Sequence, residues 1–221
     1  MSLLVPDWPV PDAVVAFSTT RISGDTARPA LLAGYPEPRI TQVHGKRVVD
    51  AASVSGSVEA DGITSAVPGT VCRVVTADCL PVLFCNTAGT EIAAVHAGWR
   101  GLAAGILEQA VAAMASSPDR LLAWIGPAIS QANYEVGAEL LEAFLHTAPG
   151  QEAAVRRCFQ PSGEKYRADL VALARLRLST CGVDAVYGGG FCTFADSDRF
   201  HSFRRDGEAA GRLVTGLCIL R

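Results

Sequence analysis

The chain has 221 residues, 49% of them hydrophobic and 19% charged, with a formal net charge of −3. That is ample apolar material for one substantial core, and no run approaches the roughly 18 consecutive apolar residues of a membrane span. A slight negative charge without any block of Lys or Arg carries no electrostatic footprint for nucleic acid or an anionic membrane, so any anionic substrate must be held by a few local arginines.

The first residues, MSLLVPDWPVPD, hold two acidic residues and three prolines where a secretion signal has a basic head and an unbroken apolar core. Residues 1–13 therefore read as a Pro-rich lead-in, and 1–221 as a single domain. The seven cysteines (72, 79, 85, 158, 181, 192 and 218) are odd in number and contain no Cys-x-x-Cys pair. That usage fits a reducing cytoplasm better than a disulfide framework.

Val14–Phe17 reads as a strand that delivers Arg21 at its exit, either as a solvated turn residue or as an anion clamp. Ile40–Val43 and Val48–Val49 are β-like, and Gly45 between them leaves His44 at the edge of a strand pair. Gln42 alternates to the face of His44. Glu59-Ala60-Asp61-Gly62 is a turn with two carboxylates.

Two apolar strands, Val71–Thr76 and Val82–Cys85, flank a polar break at Asp78-Cys79. Pro81 cannot donate to a ladder, and a polar kink between apolar strands is costly unless it serves something. The next strand, Ile92–Val95, ends on His96 and turns through Ala97-Gly98 to bring Trp99 and Arg100 to the mouth of a helix predicted over Gly101–Ala115.

Leu121–Ile125 is a further strand, Gly137–Leu145 a helix whose C-terminal dipole accounts for His146, and Asp169–Cys181 a helix capped by Asp169 and closed by Gly182. Gly188-Gly189-Gly190 implies a close backbone approach, and Arg204-Arg205 is a possible anion site. Strands and helices mix without strict alternation, and no Gly-x-Gly-x-x-Gly or Walker loop occurs. The pattern implies an α+β layered architecture with mixed sheets.

His44, Cys79 and His96 thus stand at comparable strand ends. Two imidazoles and one thiolate form a borderline-soft donor set for Zn²⁺, also suited to copper by ligand type, and three protein ligands leave the open position of a catalytic site. The same residues admit a metal-free reading, with Cys79 as nucleophile, a histidine as base and Asp78 or Asp61 to orient it. In a third reading all three are satisfied core groups of a non-catalytic binding module.

TQVHG (41–45), ADCLPVLF (77–84), HAGWRG (96–101), GPAIS (126–130) with YEVG (134–137), and CTF…FHSFRRDG…AGR (192–212) together resemble the bacterial laccase-domain family. Its members are also called polyphenol oxidases and are described as purine nucleoside phosphorylases. The resemblance implies an α/β/β/α sandwich and a zinc or copper site at His44, Cys79 and His96. It further implies phosphorolysis of adenosine, inosine and 5′-methylthioadenosine, with adenosine deamination and a disputed phenol oxidation. Purine nucleoside and phosphate are then the small-molecule partners, and a homodimer is an open expectation for assembly.

His201 falls where the family usually has an aromatic residue and is not expected to be a ligand. Only Ile22–Arg39 fills an interval where family members usually carry a longer segment, which bears on substrate preference and leaves the three ligand positions untouched.

Phosphorolysis needs donors for the phosphate dianion, for which Arg100 is the first candidate and Arg21, Arg204 and Arg205 are others. Deamination needs a carboxylate to shuttle protons; the position two after His96, where zinc deaminases carry Glu, is Gly98, so Asp78 or Asp61 would have to serve. Gln42 could contact substrate or water. Four histidines in all cannot build a multicopper oxidase centre.

Overall fold

A computed structural model describes residues 3–24 and 26–221. The strands are β1 (Val14–Ser18), β2 (Ile40–Thr41), β3 (Val48–Asp50), β4 (Val58–Glu59), β5 (Gly62–Ser65), β6 (Val71–Thr76) and β7 (Leu80–Asn86). They continue with β8 (Ile92–Ala97), β9 (Leu121–Ile125), β10 (Glu135–Val136), β11 (Phe159–Ser162), β12 (Lys165–Ala168), β13 (Ala185–Gly188) and β14 (Leu213–Ile219). The helices are α1 (Trp99–Ala104), α2 (Ile106–Ala113), α3 (Ala138–Thr147), α4 (Glu152–Arg157), α5 (Leu170–Thr180) and the short α6 (Phe203–Asp206).

A six-stranded mixed sheet runs β13-β9-β7-β8-β5-β3, and a second sheet of three antiparallel strands runs β1-β14-β6. Along β7, Val82 and Phe84 face one side with Val95, Leu102, Ile106 and Leu173, while Leu83 and Cys85 face the other with Val74, Trp124 and Leu217. The alternation places helices on one face of the large sheet and the small sheet on the other. β7 is consequently buried along its whole length, the unbroken apolar run expected of a strand covered on both faces.

The outer face of the small sheet carries Phe17, Val71, Val214 and Cys218 against Leu32. Its cover is thin: the lead-in and the segment 22–39, which contribute one 3₁₀ turn at Ala30–Leu32. The lead-in is anchored by paired backbone bonds between Leu4 and Ser18, each 2.9 Å, and by buried Trp8. Among the described residues no helix is long and apolar enough to cross a membrane.

Two boundaries differ from the sequence reading. The helix expected over Gly101–Ala115 is two helices, because Gly105 adopts φ 94° and ends α1. The apolar i, i+4 pattern continues across the break, which is why the segment reads as one helix. The strand expected from Val82 begins at Leu80, with Pro81 opposite His96. Pro81 needs no ladder donor on its β9 side, since there it only accepts, from the Gly126 amide at 2.9 Å. The close approach implied by the three glycines is intramolecular: at Gly188 (φ 72°) a Cβ would collide with the Ile125 carbonyl and the Trp124 indole.

Candidate metal centre

Two turns and the last residues of β8 converge at one end of the large sheet. His44 follows β2 in the left-handed region (φ 59°), Cys79 lies between β6 and β7 directly after Asp78 (φ 86°), and His96 sits within β8. Non-glycine residues rarely adopt such φ values, and two of them beside one cluster mark backbone held in place by its surroundings. The ligand atoms of His44, Cys79 and His96 all lie within 4.8 Å of one another.

What holds the His44 turn and the His96 ring is Asp61, fully buried directly before β5. Its Oδ1 lies 2.8 Å from Nδ1 of His96 and accepts the His44 amide at 2.9 Å; its Oδ2 accepts the amides of Gly45 at 2.7 Å and Val43 at 3.2 Å. Burial opposes the charge on this carboxylate, but the donors from His96, Gly45 and Val43 outweigh it and set the pKa below its ordinary value. With Nδ1–H of His96 committed to Asp61, Nε2 is free to face the cluster, the arrangement that orients a metal-binding imidazole.

The space between the three side chains is reserved. Gly98 has an ordinary φ of −63°, yet a Cβ there would stand 2.8 Å from Cδ2 of His44 and 3.1 Å from Sγ of Cys79. Burial would raise the Cys79 thiol, but hydrogen bonds from His44 and His96 bring it down to about 7; desolvation likewise opposes the charge on His96, and Asp61 and Cys79 raise it to about 9. A thiolate and two imidazoles are the donor types zinc takes, and their ligand atoms are gathered within 4.8 Å of one another. The residues fit a metal ion. Among the described residues no other group of three His, Cys, Asp or Glu side chains has such geometry.

The cluster forms the floor of a cavity of about 460 Å³, walled by Ile40, Gln42, Val75, Thr76, Ala77, Phe203 and Arg212. Phe203 is 44% exposed, large for an aromatic side chain. The Arg212 guanidinium lies 5.9 Å from its ring centre and donates to the carbonyls of Ala210 and Gly211. Thr76 is buried, and its Oγ1 has no partner among the described residues.

The model for multi-copper polyphenol oxidoreductase laccase matches residues 25–220. The chain belongs to that family. A full-length relative, 43% identical over 99% of both chains, is the purine nucleoside phosphorylase YfiH of Shigella flexneri. Another, 44% identical over 96% of both, is a purine nucleoside phosphorylase of Pseudomonas aeruginosa. Among solved structures, the protein NMB0706 of Neisseria meningitidis superposes with a TM-score of 0.91 at 39% identity over all of both chains. YlmD of Geobacillus stearothermophilus shares the fold, with a TM-score of 0.85 at 24% identity over 100% of this chain and 97% of that one.

Within this laccase-family fold the other candidates separate. Gln42 lines the cavity, but its amide is locked on β6, donating to the Val75 carbonyl and accepting its N–H, each at 2.7 Å. Asp61 cannot shuttle protons as considered from the sequence, because it is fully buried with its acceptors taken. Asp78 is likewise engaged: its carboxylate accepts from Thr193 Oγ1 at 2.5 Å, Ser202 Oγ at 3.0 Å and the Arg204 amide at 2.6 Å.

Arg205 is not an anion site. Its guanidinium is spent on Asp206 and on the carbonyls of Thr193, Phe194 and Phe200. Arg204 stacks 5.0 Å from the Tyr134 ring centre and donates to the Glu135 carbonyl, and exposed Arg21 donates to the Ser197 carbonyl near Asp206. Arg100 is exposed, 4.5 Å above the ring of its neighbour Trp99, at the head of a six-residue helix. None of these four lines the cavity.

Sequence reasoning missed Thr76, Phe203 and Arg212. Phe203 and Arg212 belong to the FHSFRRDG…AGR string, where the eye goes to the arginine pair; Thr76 ends an apolar strand and carries no signal of its own.

Proposed function

We propose that this protein is a metal-dependent purine nucleoside phosphorylase, with zinc as the ion, acting on adenosine, inosine and 5′-methylthioadenosine. The observation that carries the proposal is the His44–Cys79–His96 cluster opening into a cavity with an exposed aromatic wall. The names of the full-length relatives support the reaction class.

His44, Cys79 and His96 would hold the zinc ion, which when bound would supply Lewis-acid stabilisation of developing negative charge at the cavity floor. Asp61 fixes His96 with Nε2 inward and pins the His44 turn, so the donors are in place before substrate arrives. Phe203 offers a face on which a purine stacks, with ring separations of about 4.5–7 Å typical of such pairs. Ile40, Val75 and Ala77 exclude water from the sugar, and Arg212 presents a positive charge at the wall toward phosphate.

Adenosine deamination finds less support, since Asp61 and Asp78, the carboxylates adjoining the cluster, are both engaged in holding backbone. Phenol oxidation would be a side reaction of one bound copper, because one ligand cluster cannot build a multicopper centre. A metal-free Cys79–His hydrolase is the second reading, favoured by the thiol lowered to about 7 between two imidazoles. A purine-binding module without turnover is the remaining one.

The deciding experiment pairs metal analysis with an inosine assay run with and without phosphate. The expected result is about one equivalent of metal and phosphate-dependent release of hypoxanthine. A metal-free preparation with full activity, together with a covalent intermediate trapped on Cys79, would establish the hydrolase instead.

A further inference from the structure

We propose that Arg28, Arg39 and Arg73 form a second binding site, an annex to the metal cavity that takes a phosphate group. The annex is a separate hollow of about 290 Å³ whose walls include these three arginines, Glu37, Phe17 and Val214. A water-sized group needs about 30 Å³, so the hollow holds a phosphoryl group with room to spare.

The charge balance favours an anion. Glu37 is the one carboxylate among the described residues lining the hollow, and both of its oxygens are in use: Oε1 receives Nε of Arg73, and Oε2 lies 3.6 Å from a terminal nitrogen of Arg28. Arg39 has no ion pair among the described residues. Among the described residues, three guanidinium groups against one carboxylate leave an excess of two positive charges at the hollow. Arg73 and Glu37 are only 22% and 21% exposed, so their charges are incompletely screened by water. Guanidinium forks match phosphate oxygens two at a time, which isolated surface lysines do not.

Position ties the annex to the metal cavity. Arg73 and Val75 are alternate residues of β6 and point to the same face, about 6.6 Å apart; Val75 lines the metal cavity and Arg73 the annex. Arg39 lines the annex and Ile40, the next residue, lines the metal cavity. The annex therefore lies one strand step from the proposed substrate. Its phosphate is either free inorganic phosphate held apart from the cleavage step or the phosphoryl group of a nucleotide, and neither source rests on the phosphorolysis reading above.

The test is calorimetric titration of the metal-loaded protein with inorganic phosphate and, separately, with adenosine 5′-monophosphate, at constant ionic strength. Wild type is compared with Arg39→Met, Arg28→Met and, as a control at the metal cluster, Cys79→Ser. Arg39→Met is the informative variant because no ion pair of the fold is lost with it.

The annex is upheld if Arg39→Met weakens at least one of the two ligands about tenfold while Cys79→Ser does not. Weakened inorganic phosphate with adenosine 5′-monophosphate unchanged in Arg39→Met identifies free phosphate as the ligand. A nucleotide that binds more tightly than adenosine in wild type but not in Arg39→Met identifies a phosphorylated ligand. Absence of phosphorolysis would leave this binding comparison readable, since the annex is separate from the metal cavity. The proposal is overturned if neither ligand binds wild type, or if both bind Arg39→Met and Arg28→Met within twofold of wild type.

Discussion

Two buried carboxylates organise neighbouring regions of this molecule in different ways. Asp61 gathers the amides of Val43, His44 and Gly45 and the ring of His96, so that one side chain sets two of the three ligand positions. Asp78, next to the third ligand, staples the 193–204 segment through Thr193, Ser202 and the Arg204 amide, placing Phe203 at the wall of the cavity. One carboxylate sets the floor of the site and the other its wall. Proximity of an acidic residue to a ligand therefore says little about proton transfer until its acceptors have been counted.

The largest effect belongs to the ligands themselves: Cys79→Ala or His96→Ala should lose the metal and more than about a hundredfold in kcat/KM, beyond the 10–100-fold typical of outer partners. Metal content by plasma emission, read beside inosine turnover, checks this.

Gly98→Ala should come next. Its backbone angle suits alanine, but the added methyl enters the space between His44 and Cys79, so metal affinity should fall about 10–100-fold while the folded protein persists. Retained thermal unfolding together with full metal occupancy would show that the space is not the ion's.

Asp61→Asn and Asp78→Asn sharpen the contrast directly. The first should lower metal affinity about tenfold or more, since the His96 ring loses its anionic partner. The second should leave metal content intact, lower stability by about 1–3 kcal/mol through the unmatched donors of Thr193, Ser202 and Arg204, and raise KM through a displaced Phe203. Equal metal loss in both variants would dissolve the distinction.

The smallest effect is expected at Thr76. Its Oγ1 is buried without a partner, so Thr76→Val should leave the melting temperature unchanged or raised, yet reduce kcat/KM severalfold if the hydroxyl meets bound substrate. Steady-state assays and a thermal melt read both sides.

The places of His44, Cys79 and His96 at breaks and ends of apolar strands were legible in the sequence, but their grouping as ligands rested on the resemblance of TQVHG, ADCLPVLF and HAGWRG to the laccase-domain family, since residues 35 and 17 positions apart form no local motif. The helix capped by Asp169 was legible for a similar local reason: its side chain accepts from Ala172 at 2.9 Å, and Gly182 closes the helix with φ 81°. The roles of Asp61 and Asp78 were not, because carboxylate partners 16 to 126 residues away leave no trace in local pattern. The arginine pair misled for the same reason, since only the fold reveals that Arg205 is saturated by carbonyls from other turns. The hairpin of β11 and β12 went unread, as its alternation includes Pro161 and several charged residues.

The most direct test of the central claim is X-ray absorption at the metal edge of protein that retains its nucleoside-cleaving activity. One sulfur and two imidazole nitrogens in the inner shell is the expected result, with the sulfur contribution vanishing in Cys79→Ser. An active protein whose metal shell contains no sulfur, or whose spectrum is unchanged by Cys79→Ser, would contradict the assignment of His44, Cys79 and His96 as the catalytic metal centre.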